Sequence, residues 1–311
     1  MTNLNKYNLR NLKRVASFSG IRGVSNHLGT AVNQWYYQRT NHTGFDPVSE
    51  DWDNLLILDG CRYDLFQDRI HHQGELDHRT SPASESWEYL SKCFNGRDLY
   101  DTVYVTTNPH TPKIQEGTFH TIWNLLETDF DEELQTVPPD DVATAIREAL
   151  SEFPNKRIIG HFMQPHYPFI GELGREIDTS GIDPDFDTTR TGTNIWARLQ
   201  YGLGVNSDEV WSAYAENLDL ALDIVSDLLD DIEGKSVLTS DHGNLVGDRC
   251  RPIPTRGYGH PPNLYVEPLV KVPWFEAGYD TRRDIEAEKP VRGERLSDDV
   301  IEDRLKSLGY R

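Results

Sequence analysis

Residues 54–64 read Asn54-Leu55-Leu56-Ile57-Leu58-Asp59-Gly60-Cys61-Arg62-Tyr63-Asp64. A short run of branched apolar side chains breaks off at an acid and a glycine. Such a run, too short for a helix and bounded by turn residues, predicts a strand buried on both faces. A strand of that kind belongs to a mainly parallel sheet, because only a sheet covered by helices on either side hides both faces.

Working outward, the same pattern recurs. Thr102-Val-Tyr-Val-Thr106 predicts a second strand, ended by Asn108-Pro109, and Arg157-Ile-Ile-Gly-His-Phe162 a third. Lys235-Ser-Val-Leu-Thr239 predicts a fourth, and Val270-Lys-Val-Pro-Trp-Phe275 a fifth, placed at an edge because Pro273 lacks the ladder N–H. Helical patterns alternate with these. Val142 to Phe153 follows the start signal Pro138-Pro139-Asp140-Asp141. Trp211, Tyr214, Leu218, Leu222, Val225 and Leu229 form an apolar stripe at helical spacing, opened by Ser207-Asp208-Glu209. The alternation predicts an α/β fold, a mainly parallel sheet with helices on both faces. The Gly-, Asp- and Thr-rich stretch 171–201 reads as an insertion over the active-site edge, and the charged tail from Asp280 as a surface helix.

Functional groups in such a sheet gather at the carboxyl ends of strands. Here the first strand ends in Asp59, the fourth in Ser240-Asp241-His242-Gly243, and the third carries His161 and runs into Gln164-Pro165-His166-Tyr167-Pro168. Carboxylates plus imidazole form a donor set suited to Zn²⁺, Mn²⁺ or Mg²⁺. A helix N-terminus offers backbone N–H groups that favour an anion. Thr80-Ser81-Pro82-Ala83-Ser84-Glu85-Ser86 is a hydroxyl-rich turn that leads into a helix.

Together these motifs resemble the sulfatase branch of the alkaline phosphatase superfamily, specifically its haloarchaeal sulfatase-like members. Asp59-Gly-Cys-Arg-Tyr-Asp64 is similar to the opening Asp-x-x-Arg-x-Asp, and Ser240-Asp-His-Gly243 to the most specific tetrad. Gly259-His260-Pro261 with Leu269-Val-Lys-Val-Pro273 is similar to the downstream segment, and His161 through Pro168 to a His-x-x-x-Pro-His-x-Pro stretch. The resemblance spans about residues 52 to 276 and implies an alkaline phosphatase-like three-layer sandwich. It implies that Asp59, Asp241 and His242 hold a divalent metal, with His260 serving a second ion and Asp219 or Asp223 as candidate carboxylates. His161 and His166 would line the substrate side, with His166 or His260 protonating the leaving oxygen.

Ser84, followed by Glu88 and Tyr89, is similar in spacing to the Thr nucleophile of lipoteichoic-acid-synthase-like members; Thr80, Ser81 and Ser86 are the alternatives. The Cys-x-Pro-x-Arg pattern of formylglycine sulfatases is missing, because no Arg follows Pro82 and Cys61 and Cys93 lie elsewhere. The implied activity is metal-dependent hydrolysis of a phosphate or sulfate ester through a Ser or Thr adduct. Alternatives are phosphoryl transfer to a glycan or lipid head group, or a non-catalytic binding protein of this fold.

The 311-residue chain has a formal charge of −20, from 51 acidic against 31 basic residues. That balance argues against nucleic-acid binding. With lysine scarce, it predicts a halophilic archaeon's cytoplasm, where molar salt shortens the Debye length to about 3 Å. Cys61, Cys93 and Cys250, odd in number and without a CxxC pair, predict reduced thiols rather than a disulfide framework. Neither a signal peptide nor an apolar run long enough to span a bilayer is expected. Residues 1–45 form a basic arm with no Asp or Glu before Asp46, and Leu4, Tyr7, Leu12, Val15 and Phe18 predict a helix there. Residues 46–279 form the catalytic domain and 280–311 a charged tail. The arm is expected to pack on the acidic body rather than on anionic lipid, so a membrane surface is the less favoured partner beside a small-molecule, glycan or lipid ester.

Overall fold

The computed structural model describes residues 9–177 and 195–290. Its helices are α1 (Leu9–Tyr37), α2 (Tyr63–Arg69), α3 (Ser86–Cys93), α4 (Pro139–Glu152), α5 (Glu172–Glu176), α6 (Ile195–Tyr201), α7 (Ser207–Asp231) and α8 (Glu267–Val270). Its strands are β1 (Asn54–Leu58), β2 (Gly74–Thr80), β3 (Leu99–Thr106), β4 (Phe119–Asn124), β5 (Arg157–Phe162), β6 (Ser236–Thr239), β7 (Leu245–Arg249), β8 (Arg256–Gly259) and β9 (Lys271–Ala277).

Seven strands form one sheet in the order β2-β9-β6-β1-β5-β3-β4. From β6 to β4 the strands run parallel, and β9 and β2 complete one side antiparallel. The anticipated α/β class therefore holds, with β1 at the centre and every one of its residues buried. Its side chains divide by alternation. Leu56 and Leu58 join the core beneath α4 and α7, while Leu55 and Ile57 join Tyr89, Leu90 and Phe94 on the α3 side. Truncating any of these leucines to Ala would cost about 2–5 kcal/mol.

Two expectations change. Pro273 does not mark an edge, because β9 lies between β6 and β2. The ladder with β6 stops at Thr239 opposite Trp274, so Pro273 has no strand partner on that side, and its carbonyl accepts the Thr239 hydroxyl at 2.7 Å. The true edge strands, β2 and β4, carry mixed polar sequences without a branched apolar run, which is why the pattern did not disclose them. Residues 280–290 form an extended strap rather than a helix. Arg282 pairs with Asp51 and Asp53, Arg283 with the Asp53 carbonyl and Asn54, and Lys156 with Glu288, which fixes the strap across the amino ends of the strands. Residues 291–311 of the tail, residues 178–194 of the expected insertion and the first eight residues of the arm lie outside the described residues.

The arm is mainly α1, interrupted at Gly20. It packs on the segment that links β7, β8 and α8. Asn26 exchanges a pair of hydrogen bonds with the backbone of Arg256, Asn33 does the same with Ile253, and Gln34 donates to the Pro262 carbonyl. Gly29 permits the approach, since a Cβ there would stand 2.4 Å from the Thr255 methyl.

Candidate metal centre and active site

The strand order explains why residues far apart in sequence meet. β6, β1, β5 and β3 are consecutive neighbours, so their carboxyl ends form one rim. Asp59 follows β1, Asp241 follows β6, His161 lies near the end of β5 and Asn108 follows β3. All four are buried. One donor atom from each of Asp59, His161 and Asp241 lies within 4.8 Å of the other two. His242 adjoins them, its Nε2 standing 3.4 Å from Asp241 Oδ2 and 3.9 Å from Asp59 Oδ1.

Each donor is aimed by its neighbours. Asp241 Oδ1 accepts the N–H groups of Gly60 and His242, at 2.9 and 2.8 Å, which turns Oδ2 toward the cluster. Gly60 makes that turn with φ 66°, a conformation costly for other residues. The Asn108 amide oxygen accepts the His110 N–H, so its NH₂ faces Asp59 Oδ2, at 3.0 Å. His161 is held through Nδ1 by the Tyr104 hydroxyl, at 2.8 Å, and presents Nε2 to Asp59 at 3.6 Å. His242 Nδ1 faces the Gly243 carbonyl at 2.8 Å. A carbonyl only accepts, so Nδ1 carries the hydrogen and Nε2 of the neutral ring points its lone pair inward.

This donor set fits a divalent cation. Asp241 Oδ2 and His161 Nε2 are buried, and neither makes a hydrogen bond. Leaving such groups unsatisfied is costly in a folded interior, and two carboxylates with imidazole nitrogens match zinc or a harder divalent ion. Burial alone would raise the Asp59 carboxyl, but His161, 3.6 Å away, and the nearby His166 and His242 hold it below the usual carboxylate range. Burial works to lower His242, yet Asp241 and Asp59 outweigh it and raise its affinity for a proton or another cation.

The hydroxyls of residues 80–86 separate clearly. Ser86 opens α3 and places Oγ 3.2 Å from Asp59 Oδ2 and 3.1 Å from His242 Nε2. Glu85 caps the helix by accepting the N–H groups of Trp87 and Glu88. Ser84 Oγ instead donates to the Pro261 carbonyl at 3.1 Å and accepts the Leu264 N–H at 3.2 Å, a backbone tie away from the cluster. Ser81 donates to the Asp241 carbonyl. Thr80 ends β2 opposite Lys271. Of the four candidate hydroxyls it is Ser86, not Ser84, that lies against Asp59 and His242, because α3 begins at Ser86 and the intervening Glu85 is the cap.

His166 and His260 form a pair, Nε2 to Nε2, at 2.9 Å. His166 Nδ1 donates to the Tyr167 carbonyl, so its Nε2 accepts from His260. His260 also stacks on His242 with ring centroids 4.6 Å apart. Burial, then the neighbouring His242 and His166, push His260 well below the ordinary histidine range, and burial pushes His166 down as well. The pair is accordingly neutral and borders the metal cluster. Arg62 grips Asp64 through two hydrogen bonds and reaches Asp248 and the Asn244 carbonyl, fastening the turn after β1 to the segment after β6. Asp219 pairs with Arg69 on the outer face of α7 and Asp223 is exposed, so neither joins the cluster. His161 and Asn108 are gains over the sequence reading. His161 was expected on the substrate side rather than among the ligands, and Asn108 looked like a turn residue before proline.

No protein-family model and no curated protein matches the chain. Among solved structures, it is similar to the zinc complex of the C-terminal periplasmic domain of EcEptC from Escherichia coli, with 15% identity, 75% of this chain and 76% of that one covered, and a TM-score of 0.44. It is also similar to the lipoteichoic acid synthase LtaP from Listeria monocytogenes, with 12% identity, 81% and 72% covered, and a TM-score of 0.41. A protein in the alkaline phosphatase superfamily from Vibrio parahaemolyticus gives 12% identity, 95% and 77% covered, and a TM-score of 0.36.

Proposed function

We propose that the protein is a divalent-metal-dependent enzyme that cleaves or transfers a phosphate or sulfate ester through a covalent adduct on Ser86. The observation that carries this is the position of Ser86 Oγ at the first residue of α3, within hydrogen-bond reach of both Asp59 and His242. Asp59, His161, Asp241 and His242 would hold the ion, which when bound supplies charge neutralisation and lowers the pKa of a nearby hydroxyl.

The remaining steps belong to side chains of this chain. Ser86 Oγ attacks the phosphorus or sulfur, its proton passing to the Asp59 carboxylate oxygen 3.2 Å away, and the bond to the ester oxygen breaks. The positive end of α3 favours the anionic group during attack. The proton taken from Ser86 is then passed on to the departing oxygen, and the neutral His166–His260 pair lines the site. Water then releases the group from Ser86, or the hydroxyl of a glycan or lipid acceptor takes it in a transferase. The charge of −20 and three buried thiols support placing this chemistry in a salt-rich, reducing cytoplasm such as that of a halophilic archaeon.

Turnover of aryl phosphate, phosphodiester and sulfate substrates in molar KCl, with Mn²⁺, Zn²⁺, Mg²⁺ or a chelator, tests the proposal. Metal-dependent cleavage that disappears in Ser86→Ala is expected. Cleavage that persists in that variant would remove Ser86 from the chemistry.

A further inference from the structure

The second half of α1 is an amphipathic helix with its faces reversed. Asn26, Thr30, Asn33 and Gln34 look toward the body, where the amides of Asn26, Asn33 and Gln34 satisfy backbone groups of residues 253–262. The opposite face carries Ile21, Leu28, Val32 and Trp35 at helical spacing with Tyr36 beside them, and all five are exposed, Ile21 at 83% and Trp35 at 51%. Ile253, 40% exposed and in reach of the Gly29 position, extends the stripe onto the body. A helix that hides amides and displays a tryptophan, a tyrosine and three aliphatics is built for an apolar partner on its outer side.

Charge selects among the partners. The chain carries −20 overall, yet no Asp or Glu precedes Asp46, and Lys13, Arg22 and Arg39 are exposed in this segment. The Arg39 guanidinium lies 3.8 Å above the Trp35 ring, so a cation and an amphipathic aromatic are presented together. Basic residues flanking an apolar stripe, with Trp and Tyr at its margin, are the composition of a helix lying in a membrane interface. A second copy would set its own Arg22 and Arg39 beside these, and that self-contact lacks charge complementarity.

We infer that α1 is a membrane-docking helix that lays Ile21, Leu28, Val32 and Trp35 into the surface of an anionic lipid bilayer. In molar salt the basic residues contribute little at a distance, since screening confines their attraction to about 3 Å. The apolar stripe then supplies most of the binding, and Arg22 and Arg39 act only at contact with the headgroups. Because α1 is fastened to the segment that runs from β8 through His260 to Pro262, docking would hold that segment, and the site it borders, beside the lipid. Among the described residues no helix is long and apolar enough to cross a membrane.

The test is flotation of the full chain with vesicles of phosphatidylglycerol and phosphatidylcholine, and of phosphatidylcholine alone, in molar KCl. Wild type is expected to float with the anionic vesicles. The variant with Ile21→Ser, Leu28→Ser and Trp35→Ser is expected to lose about 100-fold in partitioning, with unchanged circular dichroism and metal binding. If the triple variant loses its fold, the three single variants, each expected to weaken partitioning several-fold, replace it. Failure of wild type to float, or flotation indifferent to these substitutions, overturns the inference. So does a dimer in solution that the substitutions dissociate while vesicles remain unbound. None of these readouts depends on ester cleavage, so the docking can fail while the proposed chemistry stands, or the reverse.

Discussion

Ser86 Oγ lies 3.1 Å from His242 Nε2, although 156 positions separate the two residues in sequence. β1 and β6 are adjacent strands, so the segments after them share one rim, and α3 brings its first residue to the same place. Ser86→Ala should therefore lower turnover by about 10³-fold or more, the scale on which removal of a nucleophile acts. Ser84→Ala should leave turnover within several-fold and cost about 1–2 kcal/mol of stability, because it loses hydrogen bonds with Pro261 and Leu264. Steady-state kinetics with urea unfolding on the two variants separates these roles; a larger kinetic loss in Ser84→Ala would reverse the assignment.

Asn108 donates to Asp59 Oδ2 and fixes that oxygen in place. Removing a side chain that orients a metal ligand commonly weakens metal binding by about 10–100-fold. Asn108→Ala is expected to show that loss by calorimetric titration with Zn²⁺, while Asp241→Ala should abolish high-affinity binding. Equal affinities in wild type and Asn108→Ala would mean that Asp59 is positioned without it.

The central strands were legible because burial on both faces forces an unbroken apolar run. β1 and β5 have the bounds that their sequences suggest, and β3 begins only a few residues earlier. The meeting of Asp59, Asp241 and His242 at one rim was legible for a related reason: each follows such a strand at the end where a parallel sheet gathers functional groups. The pairing of His166 with His260 was not, since it joins two loops whose relative position no periodicity encodes. Nor was the choice between Ser84 and Ser86. Both precede the same helical pattern, and the first residue of a helix is uncertain by one or two positions from sequence. α1 was foreseen as an arm packed on the body, but not with its amides inward, because amides that satisfy loop backbone carry no sequence period.

Asp53 shows what the strap of residues 280–290 contributes. Its carboxylate accepts from Arg282 and from the Lys235 N–H. Burial alone would raise it, but these contacts hold it below the usual range. A depressed carboxylate stabilises the fold above the unfolded-state pKa, about 3.9, and that stabilisation fades as pH falls through the lower folded value. Asp53→Asn should cost about 1–3 kcal/mol at neutral pH, less than for a fully buried pair because Arg282 is partly solvated. Urea unfolding from pH 7 to pH 3 should show the gap between wild type and variant narrowing only below about pH 4. A constant gap would assign the effect to packing.

Cys93 and Cys250 are buried thiols that are not joined in a disulfide. Burial pushes Cys250 up to about 11, and burial likewise raises Cys93 further above the ordinary thiol range. In the unfolded chain both would release their protons near 8.5–9. Between those values the folded state holds more protons, so stability must fall as pH rises above about 9, by up to about 1.4 kcal/mol per pH unit for each thiol. The Cys93→Ala, Cys250→Ala double variant should lose less stability between pH 8 and pH 10 than wild type does, as read by urea unfolding under reducing conditions. At pH 8 the native protein should react with a thiol reagent far more slowly than the unfolded chain. Rapid native labelling would mean that these thiols are exposed by motion, and the alkaline dependence would then vanish with it.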